Sequence, residues 1–366
     1  MTKKEKEILE IINNNPLIEQ EDIARFLGIS RSTVGVHIAS LIKQGYLLGK
    51  GYIPRKENYV VGIGAANVDV YGKPEIKIKT HYDHPSKINT SVGGVIRNVL
   101  ENLSLLGIST KLLSAVGNDI YGDLIINHSS KAGIDISNVI KVDGCSSGLF
   151  MQVQDENNDM YLALCDMSIN KNIDKKYINS KNSVIANSKA IIVDPSLDDD
   201  VIEEIIDRYK DIPIFIDPIS NNYAKKIKPY IGKIFACKPN KSELEVLSSM
   251  KINEEKDIRN AGEILLSKGL QRLYISLGRY GCVYMDRKGN YIKKESNPLE
   301  NIKNASGAGD AFFAAIIYCF LNDMDISKAL DYGNAAGRIA LNSDSPINSD
   351  LSVKLICKTV KESTKR

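Results

Sequence analysis

The sequence predicts an α/β protein with a mainly parallel sheet flanked by helices and a small β lid, preceded by an all-α winged helix-turn-helix domain. Three observations carry that reading. Short apolar runs at 59–64, 190–194, 214–217, 234–237 and 273–276 each have the length of a buried strand. Helical patterns, as at 200–209 and 257–268, lie between several of them, the alternation of a sheet covered on both faces. Residues 1–56 follow other periods and another charge balance.

In the N-terminal segment, Ile8, Leu9, Ile11 and Ile12 repeat on a helical period, and Asn13-Asn14-Asn15-Pro16 stops it. A second short helix is expected over 19–26, closed by Leu27-Gly28-Ile29. Ser30 is placed to cap a third helix, which runs to about Gln44 with Val34, Ile38, Leu41 and Ile42 facing inward. Helix, glycine turn and capped helix make the helix-turn-helix layout. Tyr46-Leu47-Leu48 and Tyr52-Ile53 around Gly49-Lys50-Gly51 predict a hairpin wing. Residues 23–56 carry Arg25, Arg31, Lys43, Lys50, Arg55 and Lys56 and no acidic side chain. Arg31, Ser32, Thr33 and His37 are placed to meet base edges and phosphates in a major groove, with Lys50 on the backbone or minor groove. Residues 16–53 resemble the winged helix-turn-helix domains of bacterial regulators of the biotin-operon repressor type. That resemblance implies DNA as a partner; a module for dimerisation or effector sensing is the alternative.

Residues 57–366 form the second expected domain. Within it, segments at about 70–91 and 147–164 are strand-like and polar on one side. They are expected to pair as a small antiparallel sheet, a lid able to exclude water. With 366 residues, 43% apolar and 25% charged, the chain has material for a large core. Its net charge of +3 is not that of a polycation. No apolar run reaches the length of a membrane span and the N-terminus lacks an apolar signal core, so a cytoplasmic protein is expected. Cys145, Cys165, Cys237, Cys282, Cys319 and Cys357 form no C-x-x-C pair, which argues for free thiols and against a disulfide frame or zinc site. The histidines form no ligand pattern; His81 and His84 are neighbours in a polar segment.

The most informative stretch is Asn304-Ala305-Ser306-Gly307-Ala308-Gly309-Asp310, which leads into the apolar Ala311-Phe312-Phe313. Small residues let backbone N–H groups approach an anion, and a helix start adds its dipole. Asp310 is placed either as a helix cap or as a base that takes the proton from an attacking hydroxyl. Gly62-Ile63-Gly64 lacks the third glycine of a dinucleotide fingerprint, Asn67 standing there, and no Walker lysine or protein-kinase loop motif occurs. Asn67-Val68-Asp69 follows the first strand, at the end where α/β sheets bind ligands, and a carboxylate there can accept from both hydroxyls of a diol. Gly93-Gly94 opens a helix that carries polar Asn98 on an apolar face. Asn240 and Glu243, three apart, suit either water around Mg2+ or an ordinary capping box. Ser276-Leu277-Gly278 ends the next strand, where a nucleotide could lie.

Taken in order, Gly93-Gly94 to Gly107, Asn240 to Glu243, Ser276 to Gly278 and Ser306 to Asp310 resemble the PfkB/ribokinase family of sugar and nucleoside kinases, over about residues 58–366. Gly93-Gly94-Val95-Ile96-Arg97-Asn98, Pro85-Ser86-Lys87-Ile88, Ser114-Ala115-Val116-Gly117-Asn118-Asp119, Ala163-Leu164-Cys165-Asp166-Met167 and Asn304 are most similar to its pseudouridine kinase branch. The resemblance implies a ribokinase-like fold, ATP as phosphoryl donor with Mg2+, and a nucleoside 5′-hydroxyl as acceptor. It makes Asp310 the base, and the backbone N–H groups of Gly307, Ala308 and Gly309 the anion hole. It puts Asp69, Asn67, Gly93, Gly94, Asn98, Lys87 and Asp166 on the substrate side, with Asp69 and Asn98 on the ribose diol. Asn240, Ser276, Gly278, Ser306 and Asn334 fall on the ATP side, and Asn240 and Glu243 organise Mg2+ through water. A K+ ion near Asn304 and the Ser345-Pro346 loop is common in the family. Two positions depart from the pattern: Ala305 before the anion hole, and Leu100 where a small Ala is usual. Another nucleoside (inosine, cytidine) or a sugar is an alternative acceptor. A transcription regulator using the kinase fold as a nucleoside sensor is the alternative from another class. Winged modules act in pairs and a projecting sheet has an edge to cover, so a homodimer is expected.

Overall fold

A computed structural model gives the structure, and residues 1–16, 18–47, 58–155, 160–296, 302–303 and 306–364 are described. The chain divides into two compact units: Met1–Asn58 with Asn179–Ser188, and Tyr59–Ile178 with Lys189–Arg366.

The first unit holds α1 (Lys3–Asn14), α2 (Gln20–Leu27) and α3 (Arg31–Lys43). Gly28, at φ +63, ends α2 in a conformation that other residues rarely adopt. Ser30 Oγ accepts from Thr33 N at 3.1 Å and starts α3, as the sequence predicts. Ile8, Ile12, Ile23, Val34, Ile38 and Leu41 close the core. Ile42 is outside it, 40% exposed. Val34, Ile38 and Leu41 already complete the inward stripe, and the next position turns away from it. The unit also takes in a short helix, Asn182–Ala186, whose Ala186 carbonyl accepts from the Tyr46 hydroxyl at 3.4 Å. The expected wing tip, Lys50 and the domain boundary near residue 56 lie outside the described residues.

In the second unit, β1 (Tyr59–Ile63), β4 (Ser109–Gly117), β5 (Ile134–Val142), β8 (Ala190–Val193), β9 (Ile214–Ile216), β10 (Ala236–Cys237), β11 (Arg272–Ser276), β12 (Cys282–Asp286) and β13 (Tyr291–Lys294) form one sheet. The order is β13-β12-β11-β10-β9-β8-β1-β4-β5. Pairings from β11 through β5 are parallel, and β11-β12-β13 make an antiparallel edge. A second sheet, ordered β3-β2-β6-β7, holds β2 (Asn67–Pro74), β3 (Ser86–Gly93), β6 (Gly148–Gln154) and β7 (Met160–Asp166). This is the expected lid, but it is mixed rather than antiparallel, because β2 pairs with β6 in parallel. Chain order is the reason. β6 follows β4 and β5, so it returns to β2 by a crossover and not by a hairpin.

Four helices position the site: α4 (Val95–Leu105), α5 (Lys241–Ser248), α6 (Ala308–Leu321) and α7 (Ile326–Leu341). Helix α6 is apolar nearly all round, with Ala311 to Ile317 buried. Its Phe313 meets Phe215 of β9 edge-on, 6.1 Å between centroids. A Cβ on Gly62 would come within 2.8 Å of Leu100 Cδ1, so the missing side chain on β1 is what admits Leu100. Among the described residues, no helix is long and apolar enough to cross a membrane.

Candidate active site

Gly307 begins α6 at φ +80, where a side chain would be strained and would overlap the Pro346 carbonyl. Among the described residues, no side chain caps this helix start. The first-turn N–H groups, those of Ala308 and Gly309 among them, therefore have no intrahelical partner and sit at the positive end of the dipole. Asp310 follows in the same turn, 8% exposed, and it does not act as the cap. Its Oδ2 accepts from Asn98 Nδ2 at 2.9 Å. Burial pushes the Asp310 carboxyl up to about 6, against the pull of the Asn98 hydrogen bond; the charge of Asp217 raises it further, and Lys238 partly offsets that.

Residues 67, 69 and 71 share one face of β2, because side chains alternate along a strand. Asn67 Nδ2 donates to Asp69 Oδ1 at 2.6 Å, and the Tyr71 hydroxyl donates to Asp69 Oδ2 at 3.3 Å. Burial raises the Asp69 carboxyl despite those two bonds and the nearby Arg97 charge. Burial, then Asp69, lifts the Tyr71 phenol to about 12, and that hydroxyl also bonds Ser306. Gly93 lies opposite Asn67 in register, and a Cβ there would overlap the Asp69 carboxylate. Gly94, at φ +97, leads into α4 with its missing Cβ 2.7 Å from Ala65 O. Both glycines are thus set by what packs on them.

Lys238 and Asp217 form a buried ion pair at 2.6 Å. Burial alone would lower the Lys238 ammonium, but Asp217 holds it above its ordinary value. Its Nζ lies 3.2 Å from where a Gly309 Cβ would stand, beside the α6 start. Asn240 and Glu243 form the capping box: Asn240 Oδ1 accepts from Glu243 N at 2.9 Å, and Glu243 Oε2 accepts from Asn240 N at 2.8 Å. Burial, then Asp217, raises the Glu243 carboxyl. Ser276 N donates to Pro239 O at 3.0 Å and aligns the ends of β10 and β11. Asn240, Ser276, Leu277, Gly278, Tyr280 and Lys293 line a cleft of about 670 Å³, large enough for a nucleotide-sized ligand.

Residues 57–353 match the family model of the pfkB family carbohydrate kinase. The chain belongs to this family. Residues 1–47 match the winged helix-turn-helix DNA-binding model. The chain is similar to "Uncharacterized sugar kinase YeiI" of Escherichia coli, 32% identical over 352 residues, 96% of this chain and 97% of that one. It is 31% identical over 300 residues to Escherichia coli pseudouridine kinase, covering 82% of this chain and 95% of that protein. Among solved structures, Arabidopsis thaliana ribokinase complexed with ribose and ATP shares the fold at TM-score 0.73 and 19% identity, over 83% of this chain and 99% of that one.

The kinase brings together Asp310, Asn98, Asp69, Asn67, Gly93, Gly94, Ser306 and the α6 start, and aligns Asn240 and Glu243 with Ser276 and Gly278. It places others elsewhere. Asp166 pairs with Leu149, which pairs with Val68, so it falls on the lid face opposite Asp69; its Oδ1 accepts from Ser168 N. Cys165, one residue earlier, shares the Asp69 face and feels the Asp69 charge. Lys87 is on the Asp69 face but exposed, four residues from Ser91, the register partner of Asp69, and so about 13 Å along β3. Asn98 was expected on the diol, yet both ends of its amide are engaged: Oδ1 accepts from Arg97 Nη1 at 2.8 Å. Asn334 lines a separate cavity of about 140 Å³ with Asp331 and Arg338, and its Nδ2 donates to Glu295 O at 3.4 Å. Asn304 and Ala305 lie outside the described residues. The sequence reading missed Asp217, Lys238, Tyr71 and Arg97. Signals existed: Asp217 ends an apolar strand as Asp194 does, Tyr71 keeps period two with Asp69, and Arg97 is a charge in a helix start that is otherwise apolar but for Asn98.

Proposed function

We propose that the protein is an ATP-dependent nucleoside kinase that phosphorylates the 5′-hydroxyl, with pseudouridine the favoured acceptor. The observation that carries this reading is Asp310: a buried carboxyl, raised to about 6, in the first turn of a helix that no described side chain caps. Above that pH it is ionised and can take the proton as the 5′-oxygen forms its bond to the γ-phosphorus and the bond to the ADP oxygen breaks. The N–H groups of Gly307, Ala308 and Gly309 stabilise charge on the moving phosphoryl group. Asp69 has lone pairs beyond those that Asn67 and Tyr71 occupy, so it can also accept from the ribose hydroxyls. Gly93 and Gly94 leave room for the sugar, and Asn98 holds the Asp310 carboxylate. Asn240, Ser276, Gly278 and Ser306 are assigned to ATP, whose cleft lies beside the first three, and Asn334, on its separate cavity, is left out of that set. Asn240, Glu243 and the neighbouring Asp217 are hard oxygen donors that fit Mg2+ held through water, and the bound ion would neutralise phosphate oxygens. K+ near the Ser345-Pro346 loop is a further proposal, checked by turnover in KCl against NaCl.

The likeness to pseudouridine kinase favours that acceptor. Phosphorylation measured over pseudouridine, uridine, inosine, cytidine and ribose tests it. Highest kcat/KM on pseudouridine is expected, and preference for another member would reassign the substrate.

A second role is proposed for residues 1–56, binding DNA as a regulator. The match of residues 1–47 and the exposure of Arg31, Ser32 and Thr33 at the start of α3 favour it, with His37 half-buried one turn on. A homodimer is also proposed. Met151, Leu162 and Leu164 are exposed together on the lid face turned away from Asp69. Light scattering at twice the chain mass is the expected result.

A further inference from the structure

Arg97 has no part in the roles above, and its setting is unusual. It is 0% exposed, on α4 between Ile96 and Asn98. Its Nη1 donates to Val92 O at 3.0 Å and to Asn98 Oδ1 at 2.8 Å. Its Nη2 donates to the Glu101 carboxylate one turn on and meets His128 Nδ1 at 2.9 Å. Asn98 Nδ2 then donates to Asp310 Oδ2 at 2.9 Å.

The chemistry fixes the direction of this chain. A guanidinium only donates, whereas a carboxamide has one accepting and one donating end. Asn98 must therefore turn its oxygen to Arg97 and its NH2 to Asp310. Reversed, an oxygen would face a carboxylate and an NH2 a guanidinium, and both contacts would repel. The imidazole of His128 fits the same polarity. Burial and then the Arg97 charge lower its pKa, which favours the neutral imidazole with an Nδ1 that accepts from the guanidinium.

We propose that Arg97 is a positioning residue for phosphoryl transfer: anchored by Glu101, it locks the Asn98 carboxamide with its NH2 on Asp310 and keeps that base aimed and ionisable. The proposal rests on Asp310 being the base. Among the described residues, the charged and titratable groups that face Asp310 are Asp69 and Tyr71 from β2, Asp217 and Lys238 from the ends of β9 and β10, and Arg97 from α4. Removing Arg97 deletes one of two cations and frees Asn98 to turn, so the Asp310 titration moves to higher pH.

Two readouts test this in the full chain. One is the acid limb of kcat/KM for pseudouridine. The other needs no turnover: the carboxyl 13C NMR titration of Asp310, assigned by its absence in Asp310→Asn. Arg97→Met is expected to raise both midpoints by about one pH unit. It should also lower kcat at neutral pH about tenfold or more, with KM for ATP changed less than about threefold. Arg97→Lys, which keeps the charge but not the fork, should fall between, and it carries the test if Arg97→Met does not fold. In an Asn98→Leu background the shift caused by Arg97→Met should shrink, because most of it travels through that side chain. An unchanged Asp310 midpoint, with activity tracking only the amount of folded protein, would overturn the proposal. Normal turnover of Asp310→Asn is a different result and would remove the base itself.

Discussion

Asp310 shows how one burial decision sets both chemistry and stability. As a base it must be ionised, so kcat/KM should fall as pH drops through about 6. Replacing it by Asn should cut kcat by about 10²–10⁴ and leave ATP affinity within about threefold, measured by steady-state assay and calorimetry. The stability effect has the opposite sign. In the folded chain the carboxyl holds its proton to about 6, against 3.8 when free. Between those values the native state binds the extra proton, so stability falls as pH rises through the window. Above it the buried charge costs the fold on the order of 1–3 kcal/mol. Asp310→Asn is therefore expected to raise the urea midpoint at about pH 8 and to change it little at about pH 4, where the native carboxyl is already neutral. An Asn variant that is less stable at the higher pH would show that Lys238 and Asn98 outweigh the desolvation.

At the level of elements, the glycines show what was legible and what was not. Gly93-Gly94 in the sequence announced a close approach, and the structure supplies its cause, the Asp69 carboxylate lying where a Gly93 Cβ would be. Gly93→Ala should push β2 and its Asp69 aside, raising the nucleoside KM about tenfold or more while the ATP KM stays within about twofold, as separate saturation curves would show. Helix α6 was legible because a Gly-Ala-Gly start and an unbroken apolar run agree on one element. The strand β4 was not, because it buries Thr110 and Ser114 amid its apolar residues and begins with exposed Ser109. The parallel β2–β6 pairing could not be read either, since register and direction are settled by a crossover distant in sequence. Asn240 and Glu243 had two readings, and the capping box is met in full. The other, water around Mg2+, concerns the same carboxylate's remaining lone pairs. Lys238 was passed over because its partner Asp217 arrives from another strand. Arg97 has Glu101 one turn along its own helix, but its position beside the site is explained only by Asp69 and Asp310, which come from other elements.

For the whole molecule, the question is whether a chain of net charge +3 can hold DNA. Overall charge gives little attraction, so binding must come from local charge, and residues 23–56 concentrate basic side chains with no acidic one among them. Counterion release then sets the magnitude. If about six phosphates are neutralised, affinity should fall about a thousandfold between roughly 50 and 200 mM salt. Arg31 is exposed at the first turn of α3, the end of a recognition helix that meets the groove. Arg31→Ala should weaken binding and, if its contact is to phosphate, reduce the salt slope by about one; a base-edge contact would relax sequence preference instead. Fluorescence anisotropy with DNA from upstream of the reading frame, with and without pseudouridine, measures both effects. Kinase turnover of the same variant should be unchanged, because Arg31 belongs to the first compact unit and Asp310 to the second. A wild-type protein that binds no DNA even at about 50 mM salt would leave residues 1–56 as an assembly or sensing module.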